Sequence, residues 1–414
     1  MKVGLPRYLP INQLAICSLA TLFTTLGCQK VDPSADVDTP SYSSQVASTD
    51  TQPTNEECEA FANSFLTTLF SANLQKANED IDWNAIVDRS VSGIPCKKAV
   101  VDDFRRGFLQ TVKGPTGIIA QIIQQLEQGG DYRYLRTHEV DGQKRVLFRL
   151  LLANDGGVNY QDMILSKDNQ GNVRAVDIYV FSSAENLSQT FRRAFIPIAA
   201  ESSKSIFAKL TQSENDFVEN LNKIQQMALL LRQGQYAGVD QIYRSLPESL
   251  QQDKSILLIQ LQAAVRMGDK QYAQAIETFK RFHPKDPCID MLSIDSFFMK
   301  QQFAEAFQCI ARLEDSVGGD PYLNVMRANA KIQQQENNEA KAYAELALKE
   351  EPDLFPAYQV LINLSIADKD FDETVRLLTE VQDKFEIEFE DFTQVEEFSD
   401  FVKSPQYKKW IELQ

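Results

Sequence analysis

Only two histidines, His138 and His283, occur in 414 residues, which removes much of the metal and acid–base chemistry open to a chain this long. A His-rich metal site cannot be built from them, and a nucleophile needing a histidine base has almost no choice of partner. Phosphate-binding glycine loops, paired-histidine zinc helices and glycine-flanked nucleophile turns are missing as well. Positive charge is in deficit: 42 Lys and Arg against 58 Asp and Glu leave a net charge of -16. That balance argues against nucleic acid as a partner, because such binding rests on cations neutralising phosphates. It also argues against broad adhesion to anionic lipid. The uncharged apolar run Leu14–Leu26 is too short to span a bilayer as an ordinary helix. No cofactor is called for, and carboxylates are too abundant for any pair to stand out as acid and base.

What is present begins with residues 1–27, where Lys2 and Arg7 precede the apolar run and Gly27-Cys28 closes it. This arrangement resembles a bacterial lipoprotein signal peptide, although Thr25 stands where leucine is usual. The resemblance implies that Cys28 is lipidated (palmitate among its acyl chains) and becomes the mature N-terminus. Gln29, rather than Asp, implies the outer membrane by the family's sorting rule, with the chain facing the periplasm. Residues 28–56 are rich in Ser, Thr, Asp, Gln and Pro and poor in large apolar side chains. Such a stretch cannot bury enough surface to offset its ordering entropy, and reads as a disordered tether reaching on the order of 30 Å.

Residues 57–200 read as an α+β domain. Helical patterns around Cys58–Ala77 and Lys98–Gln128, the second interrupted near Gly114-Pro115, come first. Four strand-like runs follow, Tyr132–Val140, Arg145–Ala153, Val158–Leu165 and Val173–Phe181, separated by turn sequences such as Asp141-Gly142. Helices followed by a four-stranded antiparallel sheet, with a last helix over Leu187–Ile196, resemble the cone-shaped folds of the nuclear transport factor 2, ketosteroid isomerase and cystatin-like groups. That resemblance implies a pocket, for which His138, Arg149, Tyr160 and Asp177 are the candidate polar residues. A structural ion pair or a solvated sheet face would use the same residues.

Residues 215–385 repeat. Val239, Ala275, Ala306, Ala340 and Thr374 recur at spacings of 36, 31, 34 and 34 residues. Aromatic residues stand three positions before four of them (Tyr236, Tyr272, Phe303, Phe371), and Tyr243, Phe279, Ile310, Ala344 and Leu378 stand four positions after. A small residue in phase with such a face lets two antiparallel helices approach closely, and Gly234, Gly268, Pro287 and Pro352 punctuate the pattern. The segment Ala340–Pro352 resembles the second helix of a tetratricopeptide repeat, with Tyr358 in the place of the usual tryptophan in the last unit. The resemblance implies an all-α solenoid whose first helices line a groove for a protein or peptide partner. Carried over, the groove positions are Met291, Asp295, Phe298, Asn329, Ile332, Asn363 and Ile366. Clamping cations are absent nearby, at Val325 and Gln359, so an acidic tail is not implied. Residues 386–414, with Phe398, Phe401, Tyr407, Trp410 and Ile411, suit a segment capping the last repeat.

Of six cysteines, Cys17 falls in the signal and Cys28 takes lipid. Cys58 with Cys96, and Cys288 with Cys309, are then candidate disulfides in an oxidising compartment, with buried free thiols as the alternative. His283, before Pro284, reads as a solvated turn residue. The expected function is a non-enzymatic, membrane-anchored interaction scaffold in the envelope, with no nucleic-acid partner. The rival is a small-molecule binder or hydrolase using the cone-like domain.

Overall fold

The computed structural model describes residues 2–3, 52–153, 157–202, 204–389 and 392–412. The signal, Cys17, Cys28 and most of the tether therefore lie outside the described residues. Contacts divide the chain into two compact units, residues 13–292 and residues 1–12 with 293–414.

In the first unit, α1 (Asn55–Phe70) starts where Thr54 and Glu57 cap each other: the Glu57 amide donates to Thr54 Oγ1 at 3.2 Å and the Thr54 amide to Glu57 Oε2 at 2.8 Å. Its face Cys58, Phe61, Ala62, Phe65 and Leu69 is buried at helical spacing. Four helices follow: α2 (Leu74–Glu79), α3 (Trp83–Val91), α4 (Lys98–Val112) and α5 (Ile118–Glu127). The break between α4 and α5 falls at Gly114-Pro115, as the sequence suggests. Helix α3 is an addition to that reading; Asp82 caps it by accepting from the Ala85 amide, and Trp83, Ile86 and Val87 anchor it.

After Lys2–Val3 (β1), the chain's next strands are β2 (Asp131–Val140), β3 (Gln143–Leu151), β4 (Val158–Lys167), β5 (Val173–Val180) and β6 (Glu185–Asn186). They form an antiparallel sheet in the order β2-β3-β4-β5-β6, so the four expected strands gain a fifth of two residues. The β2–β3 turn is a two-residue hairpin, with Asp141 at φ 51 and Gly142 at φ 72, the mirror-image turn that matches strand twist. Val146, Phe148, Leu150, Met163, Leu165, Ile178 and Val180 share one core cluster with the helices. Helix α6 (Leu187–Ser202) joins it through Phe191 and Phe195, whose rings lie 4.4 Å from Phe108 and 4.9 Å from Phe104.

Helices continue within this unit as α7 (Gln212–Glu219), α8 (Leu221–Arg232), α9 (Tyr236–Arg244), α10 (Glu248–Gln251), α11 (Lys254–Met267) and α12 (Asp269–Phe282). They are fastened to the sheet by polar contacts. Asp286 accepts from the Tyr179 hydroxyl at 2.7 Å and from Lys254 Nζ at 2.6 Å, and Lys254 also donates to the Ala184 carbonyl at 3.1 Å. Arg192 of α6 donates to Glu214 of α7 at 2.7 Å. His283 is half-buried rather than solvated, with Nε2 2.8 Å from the Gln252 carbonyl and its ring 5.3 Å from Phe279.

Helix α13 (Cys288–Met299) carries the division between the units. The second unit continues with α14 (Phe303–Val317), α15 (Tyr322–Gln333), α16 (Asn337–Glu350), α17 (Phe355–Ala367) and α18 (Phe371–Phe385). It ends with β7 (Glu388–Phe389), α19 (Ser399–Lys403) and α20 (Pro405–Glu412). Helices α15 and α16 pack together, as do α17 and α18, and α15 lies against α17.

The small positions explain this pairing. Val239, Ala275, Ala306, Ala340 and Thr374 are all buried, at 0 to 3% exposure. Thr374 is larger than alanine, but its hydroxyl is satisfied by Ser365 Oγ at 2.8 Å and the Asp370 carbonyl at 2.9 Å. The turns recur as well. Gly234, Gln301, Gln335 and Lys369 all take left-handed φ values of 57 to 72. Each donates its amide three residues back, and the following residue donates five back, for example Gln335 to Ile332 at 2.9 Å and Glu336 to Lys331 at 2.9 Å. This paired closure of the last carbonyls is the Schellman arrangement. The chain ends in an aromatic cluster in which Phe392 stacks on Phe398 at 4.8 Å and Phe401 meets Tyr407 at 5.2 Å, with Trp410 buried beside them.

Candidate functional site

On α15, Asn329 and Ile332 sit three residues apart on one face, and both are half-buried; Asn363 and Ile366 hold the same relation on α17. Because α15 packs against α17, the two pairs belong to neighbouring helices and repeat after 34 residues. The Asn329 and Asn363 amides form no hydrogen bond among the described residues, so each offers both a donor and an acceptor to solvent. An amide flanked by an isoleucine is suited to hold the backbone of an extended chain while the apolar neighbour takes a side chain.

The other groove candidates fall elsewhere. Met291 and Phe298 are buried, at 3% and 2% exposure, and cannot line an open face. The cause lies in α13 itself, which is buried on several sides: Ile289, Leu292 and Ile294 are buried, and so are its polar residues Asp290, Ser293 and Ser296. Asp295 lies in the same helix, and its side chain is outside the described set.

The four sheet residues are brought to one side of the sheet. Arg149 and Tyr160 are register partners on β3 and β4, both fully buried. Arg149 Nη2 donates to Asp131 Oδ2 at 3.0 Å. His138 Nε2 lies 2.8 Å from Asp162 Oδ1, and Arg145 Nη1 donates to Asp162 Oδ2 at 3.2 Å. Asp177 belongs to the start of α6: its carboxylate accepts from the Ser188 hydroxyl at 2.5 Å and the Ser188 amide at 3.2 Å, with Arg89 at 3.8 Å. Burial raises its pKa, and the Ser188 hydrogen bonds and the Arg89 charge work against that rise. A carboxylate at a helix start is the arrangement that the helix dipole favours.

Asp131, Arg145 and Asp162 were not singled out from the sequence. The signal was available in the two-residue period, which places Arg145, Arg149, Tyr160 and Asp162 on one face of adjacent strands. A surface depression of about 510 Å³ lies away from these groups, lined by Leu74, Gln75, Asn78, Glu79 and Lys113.

The disulfides considered from the sequence are not formed: Cys58, Cys96, Cys288 and Cys309 are free thiols. Burial pushes the Cys58 thiol up to about 11 and the Cys288 thiol well above its ordinary value. Cys96 is half-buried, with Sγ 3.5 Å from Ser202 Oγ. Among the described residues no group of three or more His, Cys, Asp or Glu could hold a metal ion, and no helix is long and apolar enough to cross a membrane.

Compared with protein-family models, curated proteins and solved structures, the chain finds no match in any of the three.

Proposed function

We propose that this chain is a lipid-anchored interaction protein of the bacterial envelope, whose helical hairpins form a tetratricopeptide-like array that docks an extended segment of another protein. The carrying observation is the 34-residue recurrence of Asn329/Ile332 as Asn363/Ile366 on packed neighbouring helices, with both amides open. The recurring buried small residues and turn geometry add support. The anchor reading rests on the Leu14–Cys28 sequence pattern alone. The rival small-molecule reading draws little support from geometry, because Asp162 occupies His138 and the start of α6 occupies Asp177.

Photo-crosslinking side chains placed at residues 329 and 363 should trap the same partner in intact cells, while one at the exposed outer position Glu345 should not. Equal trapping at all three positions, or none, would refute the groove. Cys28→Ala should release the chain from the membrane fraction; continued sedimentation with membranes would refute the anchor.

A further inference from the structure

Helix α17 carries no charged residue in 13 positions, alone among the described α-helices of a chain with 58 acidic and 42 basic side chains. Burial alone does not account for this, because part of the helix reaches solvent. Pro356, Gln359, Asn363 and Ile366 are half-buried and fall three or four residues apart, on one stripe. Helix α15 presents the matching stripe 34 residues earlier, with Tyr322, Asn329 and Ile332 half-buried. Its two cations are already engaged: Arg327 pairs with Glu314 at 2.6 Å, and Lys331 with Glu339 at 2.6 Å. The two helices pack together, so they share an uncharged face within a unit whose residues 293–414 hold 25 Asp and Glu against 12 Lys and Arg. An ion placed on such a face would lose water and gain no counter-ion, so the face selects a partner segment without charge.

The amides select the backbone of that segment as well. Asn329, Gln359 and Asn363 form no hydrogen bond among the described residues. A helical ligand has its carbonyls bonded internally and leaves these amides nothing to hold. Packed helices stand about 8–10 Å apart, which sets the interval at which Asn329 and Asn363 recur. A β-strand returns to one face every two residues, about 6.6 Å, and falls out of step with them. A polyproline-II segment returns every three residues, about 9.3 Å, and makes no internal hydrogen bonds. Tyr322 and Pro356, two turns earlier on the same stripes, add flat apolar surface of the kind that proline rings pack on.

We propose that the face of α15 and α17 takes an uncharged polyproline-II segment of a partner protein, with the Asn329 and Asn363 amides donating to backbone carbonyls three residues apart. The inference rests on the groove reading above and adds the chemistry of what fills the groove.

The test titrates fluorescein-labelled decaproline with the full chain and follows anisotropy. Decaproline offers carbonyls and no backbone N–H, so only a donor can hold it. Binding should saturate and should change less than about twofold between about 50 and 500 mM NaCl, because no ion pair is involved. N329D/N363D keeps the side-chain shape but presents acceptors alone, and should weaken binding about tenfold or more. N329A/N363A should weaken it as far without adding charge, and both variants should keep the parent's far-ultraviolet circular dichroism. A flexible decapeptide of alternating Gly and Ser has more freedom to lose and should bind about tenfold more weakly than decaproline. Absence of decaproline binding, indifference to both double variants, or loss of binding with salt would overturn the proposal. The groove is judged separately: crosslinks at residues 329 and 363 that trap a partner while decaproline stays unbound would leave the groove standing and remove only this ligand.

Discussion

Replacing Gln301 and Gln335 with glycine should stabilise the helical region even though it removes side chains. Both residues sit at the hairpin turns with φ of 57 and 62, where a Cβ crowds the neighbouring carbonyl. That conformation costs a non-glycine residue about 1–2 kcal/mol. Glycine gives back about 0.5–1 kcal/mol through the greater freedom of the unfolded chain. The difference leaves a net gain of about 0.5–1 kcal/mol per turn, and the two sites should add because they lie in different hairpins. Gly234 supplies the reciprocal case: it holds the same turn at φ 72, with only an ordinary 3.7 Å contact awaiting a Cβ. Gly234→Ala should therefore cost about 0.5–1 kcal/mol, the strain of about 1–2 kcal/mol less the entropy that alanine removes from the unfolded chain. As a control, Glu345→Gly in the exposed middle of α16 should cost about 1 kcal/mol. Denaturant midpoints followed by helical circular dichroism would read all four variants. If Q301G and Q335G destabilise as the control does, the turns are not a shared left-handed motif and the reasoning fails.

Three further outcomes follow from the packing and the titrating groups. Ala340→Leu should destabilise by about 1–3 kcal/mol, since the fully buried position has no room for three more carbons; a thermal midpoint equal to the parent's would contradict close helix approach there. Among Cys58, Cys96, Cys288 and Cys309, alkylation of the native chain at neutral pH should label Cys96 first, because the others are buried. Mass mapping of the first adduct checks this. Glu214 is pushed up by burial, but hydrogen bonds from Thr211 and Arg192 outweigh that and leave its pKa below the ordinary value. Its ionised form therefore stabilises the fold above its unfolded pKa, and the benefit fades as pH falls through the folded one. The stability gap between the parent chain and Glu214→Gln should shrink between pH 6 and pH 3; a gap that widens on acidification would reverse the assignment.

The long elements were legible because their periodicity is strong. The strand runs were placed within about two residues of β2 to β5, and Asp141-Gly142 named its own turn. Helix α3 was missed because nine residues with one polar cap carry little periodic signal, and β6 because two residues carry none. The site was harder. Asn329, Ile332, Asn363 and Ile366 are half-buried whereas Met291 and Phe298 are buried, because phase along a repeat does not reveal that α13 is buried on several sides. The partners of the sheet candidates were illegible for a different reason. A strand pattern shows which residues share a face, but the carboxylates that would neutralise them come from other strands in a register the sequence does not print.

The contacts of Asp286 with Tyr179 and Lys254 limit how such a chain can change length. Removing or duplicating a hairpin between residues 221 and 282 would carry Asp286 out of reach and strand a tyrosine hydroxyl and an ammonium group in a half-buried setting. A change of length by whole hairpins between residues 221 and 282 therefore has to be matched by a new partner for Tyr179 and Lys254.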